Sequence, residues 1–253
     1  MRMIIVCAGV ALILALLGTP LAIWVFSGRR YGQLIRKEGP AEHATKCGTP
    51  TMGGTVVVIA SLIAYVVSHI LTRDPMTVSG ILVLGLMTGL GLVGFVSDFI
   101  KIHRQSSLAP RRRARLAYSV EGLVTRAAIL VLAAYVLIAN SQLRNDCTVL
   151  LTKNCYFVRN PLDLAVVAAA VLAACFGFLW WNARDARIFM GATGWLALTG
   201  VLAGLAVTTR AQLVLVMLGG LFVIITLSAI SKRADRLPIR SKRTIPQLAP
   251  GRT

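Results

Sequence analysis

Acidic side chains are scarce in this sequence. Nine of its 253 residues are Asp or Glu against 27 Lys and Arg, a formal net charge of +18 at pH 7. Charge of either sign is thin, at 14% of residues, whereas 57% are hydrophobic and the mean hydropathy is +0.76. Too little polar surface remains to clothe a water-soluble globule of this length, which excludes a soluble enzyme. The three histidines, His43, His69 and His103, are scattered, and the five cysteines show no zinc-site spacing. No internal repeat is present. Nucleic acid is excluded as a partner, because the basic residues lack the interleaved aromatics that a base-stacking surface needs.

Long apolar runs are what the chain does have. Residues 3–26, 54–72, 78–96, 118–139, 162–181, 193–208 and 211–230 read as spans, most of them near the ~20 residues that a bilayer core requires. They predict an all-α polytopic bundle of about seven transmembrane helices, with residues 1–230 as one membrane domain and 231–253 as a basic tail. The first run exceeds the apolar core of a signal peptide and lacks a small-residue cleavage site before Arg29-Arg30, so it is expected to be retained.

Lys and Arg counted by loop set the orientation. Residues 27–53 hold five, 97–115 six, 182–192 two and 231–253 seven, whereas Arg2, Arg73, Arg144, Lys153, Arg159 and Arg210 lie on the other side. The N-terminus is expected outside and the C-terminus in the cytoplasm. Arg126, inside the 118–139 run, is expected to snorkel to the cytoplasmic surface. The clusters Arg111–Arg113 with Arg115, and Lys232 to Arg243, lie beside spans, where such charges either fix topology alone or bind anionic lipid head groups as well. Cys147 and Cys155 fall in the outer loop, which permits a disulfide; Cys7 and Cys175 read as small apolar residues within spans.

Three segments carry polar chemistry. The run His43-Ala44-Thr45-Lys46-Cys47-Gly48-Thr49-Pro50-Thr51-Met52-Gly53-Gly54 has the glycines and proline of a turn with exposed N–H groups, able to cradle an anion beside Lys46. Gly and Pro equally punctuate ordinary inter-helix loops. In Gly94-Phe95-Val96-Ser97-Asp98-Phe99-Ile100-Lys101, Asp98 and Lys101 share a helix face, where they can address a phosphate together or simply pair with each other. In Phe178-Leu179-Trp180-Trp181-Asn182 and Ile188-Phe189-Met190-Gly191-Ala192-Thr193-Gly194, the tryptophans suit an interfacial belt. Asn182 there offers an amide and Phe189 a face to a nucleobase.

Together the three segments resemble one family, the phospho-N-acetylmuramoyl-pentapeptide transferases, within the polyprenyl-phosphate N-acetylhexosamine-1-phosphate transferases. Tyr31 to Arg36, Gly39-Pro40, Pro161-Leu162-Asp163-Leu164 and Leu218 to Ile224 also resemble family sequence. The resemblance covers most of residues 15–230. It implies a multi-pass bacterial plasma-membrane enzyme of peptidoglycan synthesis. Such an enzyme transfers phospho-MurNAc-pentapeptide from its UDP carrier to undecaprenyl phosphate, giving lipid I and UMP with Mg²⁺. By motif, Lys46 and Thr51 would lie by the nucleotide, Asn182 and Phe189 at uracil, and Asp98 near the lipid phosphate with Lys101 and Glu121.

The chain departs from the family pattern at its charges. Ser97-Asp98 stands where the family has Asp-Asp, and Gly191-Ala192-Thr193 where it has Gly-Asp-Thr with a metal-binding aspartate. Ser119-Val120-Glu121-Gly122-Leu123 is at most a remnant of an acidic loop, and the histidine-rich loop near the family's C-terminus has no counterpart. From Arg115 the chain passes almost directly into what resembles the family's sixth span, so an adjacent pair of spans is expected to be lost, which preserves the direction of those that follow. No metal-ligand set survives, with only Asp185 or Glu121 as substitutes. The residues thus predict a family member with weakened or lost catalysis. The alternative is a pseudoenzyme that binds nucleotide or polyprenyl phosphate, or that pairs with an intact transferase or a second copy.

Overall fold

The computed structural model describes residues 2–28, 52–103, 111–144, 160–182 and 188–213, together with 216 and 220. They form six helices and, among the described residues, no strand: α1 (Arg2–Gly28), α2 (Gly54–Thr72), α3 (Val78–His103), α4 (Arg111–Arg144), α5 (Pro161–Asn182) and α6 (Gly191–Thr208). All six are long and apolar enough to cross a membrane. The first six expected spans are therefore present, and the protein is a multi-pass membrane protein. The seventh, 211–230, falls almost wholly outside the described residues, as do Cys147, Cys155 and the 231–253 tail.

Three helices, α1, α3 and α4, outrun their apolar segments. α3 continues to His103, seven residues past its expected end at 96, and α4 runs for 34 residues from Arg111. The membrane-competent part of α4 is Thr125–Arg144, shifted toward the C-terminus from the expected 118–139. Arg126 therefore sits in the first turn of the span, and its side chain is exposed. Hydropathy marks where a helix is greasy, whereas backbone hydrogen bonding continues into water.

α5 is the centre of the bundle, packing on α1 and α4 and also touching α2, α3 and α6. Its small residues, Ala165, Ala168, Ala170 and Ala174 among them, are fully buried and let neighbouring backbones approach. α3 packs chiefly on α6. Cys7 and Cys175 are buried free thiols, as expected of small apolar residues. The outward surface carries Leu17, Leu21, Leu92, Leu130 and Leu137, as a lipid-facing surface does.

The helices alternate in direction. At one end, called here the motif end, the start of α2 meets the start of α6 and the end of α3 meets the start of α6, while Thr125 of α4 donates to Met190. Trp181 at the end of α5 donates through Nε1 to the Leu16 carbonyl of α1 at 3.0 Å. At the far end Gln142 of α4 donates to the Thr209 carbonyl beyond α6, 3.0 Å. The chain leaves α3 and enters α4 at the same motif end, with only residues 104–110 between them.

Candidate functional site

The described parts of the three polar segments singled out in the sequence, Met52 to Gly54 for the first of them, meet at the motif end. The Gly53 and Gly54 amides donate to the carbonyls of Phe189 and Met190, both at 2.8 Å, so the turn before α2 is pinned to the turn before α6. The contact is backbone on backbone. A Cβ on Gly54 would collide with the Gly194 amide and stand 2.8 Å from the Met190 carbonyl; one on Gly94 would reach the Ala192 carbonyl at 2.5 Å. Glycine is needed at both positions because two helices touch there without side chains between them.

Asp98 closes the third side. Its Oδ2 accepts from the Thr193 backbone N–H and from the Thr193 hydroxyl, each at 3.0 Å, and the residue is 4% exposed. Thr193 is in the first turn of α6, where a backbone N–H has no partner within its own helix. A carboxylate there satisfies that donor and meets the positive end of the helix dipole. Asp98 therefore caps α6 from a neighbouring helix. We expect Asp98→Ala to cost about 1.5–3 kcal/mol, the worth of a charge-assisted hydrogen bond. Asp98→Asn should cost below about 1 kcal/mol, since an amide oxygen still accepts at a helix start. Thermal unfolding of the detergent-solubilised variants checks both.

Phe189 is half-buried against this junction, and Asn182 is the last residue of α5, also half-buried. Both thus lie at the motif end with Asp98. Lys101 continues α3 and Glu121 lies on α4, but their side chains are outside those described; Lys46 and Thr51 fall outside the described residues altogether. Thr193 is the contact that sequence reasoning missed. Its only signal was a hydroxyl residue just after Gly191-Ala192, where a new helix begins.

The fold and site define a multi-pass helical membrane protein with Asp98, Asn182 and Phe189 at one end of the bundle. The sequence model described as "Glycosyl transferase family 4" matches residues 116–210. The phospho-N-acetylmuramoyl-pentapeptide-transferase of Kineococcus radiotolerans is 43% identical, with 91% of this chain and 84% of the relative covered. Those of Thermobifida fusca and Streptomyces avermitilis are 42% and 40% identical, covering 90% and 91% of this chain and 82% and 83% of the relatives. The chain belongs to the phospho-N-acetylmuramoyl-pentapeptide-transferase family.

The 91% of this chain that aligns with the Kineococcus relative, about 230 residues, is spread over 303 positions, so about 70 positions of the relative have no counterpart within the aligned stretch. An internal loss is consistent with that shortfall.

The family implies Mg²⁺, and the donor set tests the fit. Mg²⁺ is held by one or two carboxylates with phosphate oxygens and waters. Among the described residues no group of three or more His, Cys, Asp or Glu gathers to hold a metal. The carboxylate at the junction, Asp98, has Oδ2 committed to Thr193, and Ser97 and Ala192, next to these two in sequence, carry no anionic oxygen. The described residues do not fit a resident Mg²⁺.

Proposed function

We propose that this protein carries the membrane scaffold of a transferase acting between UDP-MurNAc-pentapeptide and undecaprenyl phosphate at the cytoplasmic face, and that transfer on it is weakened or lost. The observation that carries this reading is the Asp98–Thr193 capping contact beside Ala192: the carboxylate that survives serves the fold. Transfer joins an anionic nucleophile to an anionic diphosphate, so it depends on positive charge fixed at the reacting oxygens. Without a ligand set for a divalent ion that stabilisation falls by several kcal/mol, and each ~1.36 kcal/mol is tenfold in rate.

Binding has different needs. The Gly53 and Gly54 amides, expected to be exposed to an anion, are spent on the Phe189 and Met190 carbonyls, but Asn182 and Phe189 remain at the motif end, and Lys46 and Thr51 lie just before it in sequence. These offer a side-chain amide, a hydroxyl, a cation and an aromatic face to a uridine diphosphate without any metal. The orientation that puts this end in the cytoplasm rests on the basic loops flanking it. Binding of UDP-MurNAc-pentapeptide to the purified chain, titrated with Mg²⁺ and with a chelator, tests the reading. Equal affinity in both is expected; affinity that collapses on chelation would contradict it.

A second reading, a non-catalytic partner of an intact transferase, draws on the missing positions. Two absent spans leave faces that an intact bundle covers. Co-purification with an intact family enzyme in a stoichiometric complex would favour it.

A further inference from the structure

The end of the bundle opposite the motif cluster holds a buried ionisable network that nothing in the transferase reading uses. Asp163, in the first turn of α5, is 3% exposed, and His69, near the end of α2, is 4% exposed. His69 Nε2 lies 3.0 Å from Asp163 Oδ1, and His69 Nδ1 lies 3.0 Å from the Asp74 carbonyl in the α2–α3 turn. The other carboxylate oxygen, Oδ2, accepts from the Tyr65 hydroxyl at 2.8 Å, from the Thr77 hydroxyl and, at 3.4 Å, from the Thr77 amide. A Cβ at Gly80 would strike that same oxygen, so α3 begins directly against the carboxylate. Tyr65 also stands edge-on to the imidazole, ring centroids 4.4 Å apart.

The partners constrain the protons. A carbonyl oxygen only accepts, so the contact to Asp74 fixes a proton on Nδ1. The Nε2 contact needs one more proton, carried either by the ring or by the carboxyl. Three donors converge on Oδ2, the pattern that suits an ionised carboxylate, and this leaves the second proton on the ring. An ionised pair inside a bundle is sustained only when its remaining lone pairs and protons are satisfied, as they are here.

We infer that His69 and Asp163 form a buried imidazolium–carboxylate lock that fastens the end of α2, the α2–α3 turn and the start of α5 to one another. α5 is the central helix, so the lock seats the α2–α3 hairpin on the core at the end remote from the Gly54–Gly194 contact. The hairpin is thereby held at both ends by residues of this chain. This part of the bundle then stands without the spans that its relatives possess and it lacks.

Nitrogen-15 spectroscopy of histidine-labelled full chain in detergent at neutral pH tests the lock. Only three histidines contribute, and a His69→Gln variant assigns the signal. Both ring nitrogens of His69 protonated in the unaltered chain is the expected result, with reversion to one protonated nitrogen in Asp163→Asn; one unprotonated nitrogen in the unaltered chain overturns the proposal. Melting of His69→Leu, Asp163→Leu and the double variant gives a second reading. The double variant should lose less than the two single losses together; losses that simply add would equally overturn it. If a single variant does not fold, the spectrum of the unaltered chain still decides.

Discussion

Replacing Ala192 and Ser97 together by aspartate is expected to raise lipid I synthesis at least ~100-fold above that of the unaltered chain. A metal ligand contributes several kcal/mol of charge stabilisation, and ~2.7 kcal/mol already corresponds to a factor of a hundred. The geometry favours the experiment. Ala192 is half-buried in the first turn of α6, and Ser97 is the half-buried residue before Asp98 at the end of α3. Both new carboxylates would enter the junction where α3 already meets α6 through Asp98 and Thr193. Radiolabelled UDP-MurNAc-pentapeptide and undecaprenyl phosphate, with product extraction, give the readout. No rise, with nucleotide binding retained, would show that the lost spans supplied more than their neighbours' geometry.

Gly54→Ala is expected to be among the most damaging single-methyl changes in the chain. The added carbon meets the Gly194 backbone and the Met190 carbonyl, none of which can swing away as a side-chain tip can. Overpacking of this kind costs about 1–3 kcal/mol, and more where backbone must move. The two backbone hydrogen bonds that pin the turns, from the Gly53 and Gly54 N–H groups to the Phe189 and Met190 carbonyls, should weaken with it. Nucleotide affinity is therefore expected to fall with stability. The same substitution at Gly85 or Gly89 of α3 meets open space. There the gain in helix propensity, up to about 1 kcal/mol, should leave the melting temperature unchanged or higher. Opposite signs for one chemical change at the two sites would trace the effect to the helix contact. Equal losses would contradict it.

Much of this architecture was legible because spans are written in composition. A run of some twenty apolar residues has few alternatives in lipid, and the six described helices begin or end close to those runs wherever a turn follows at once. The α4 start was not legible. Arg111, Arg112, Arg113 and Arg115 read as a juxtamembrane cluster, although they lie on the same helix as the span. Hydropathy cannot see a helix that leaves the membrane without breaking.

At the site, three segments separated by up to about 140 residues stood out because each carried its own unusual local chemistry, and their described parts meet at one end of the bundle. The use of Asp98 as a cap escaped it. A carboxylate at the end of one helix says nothing about which helix start it will face, and Thr193 is an ordinary residue until the two meet. The His69–Asp163 lock escaped for the same reason. His69 read as a residue near the end of a span and Asp163 as part of a family-like run, and 94 positions of chain separate them. Pairing of that kind belongs to packing, which no local pattern encodes.

Chemistry that needs a divalent ion would here have to proceed beside Ser97 and Ala192, neither of which carries a carboxylate. Lipid I formation by the purified chain alone, in vesicles with undecaprenyl phosphate and with Mg²⁺ varied against chelator, measures this directly. The expected result is synthesis near background with no response to Mg²⁺. Rapid synthesis that rises with Mg²⁺ and stops on chelation would contradict it.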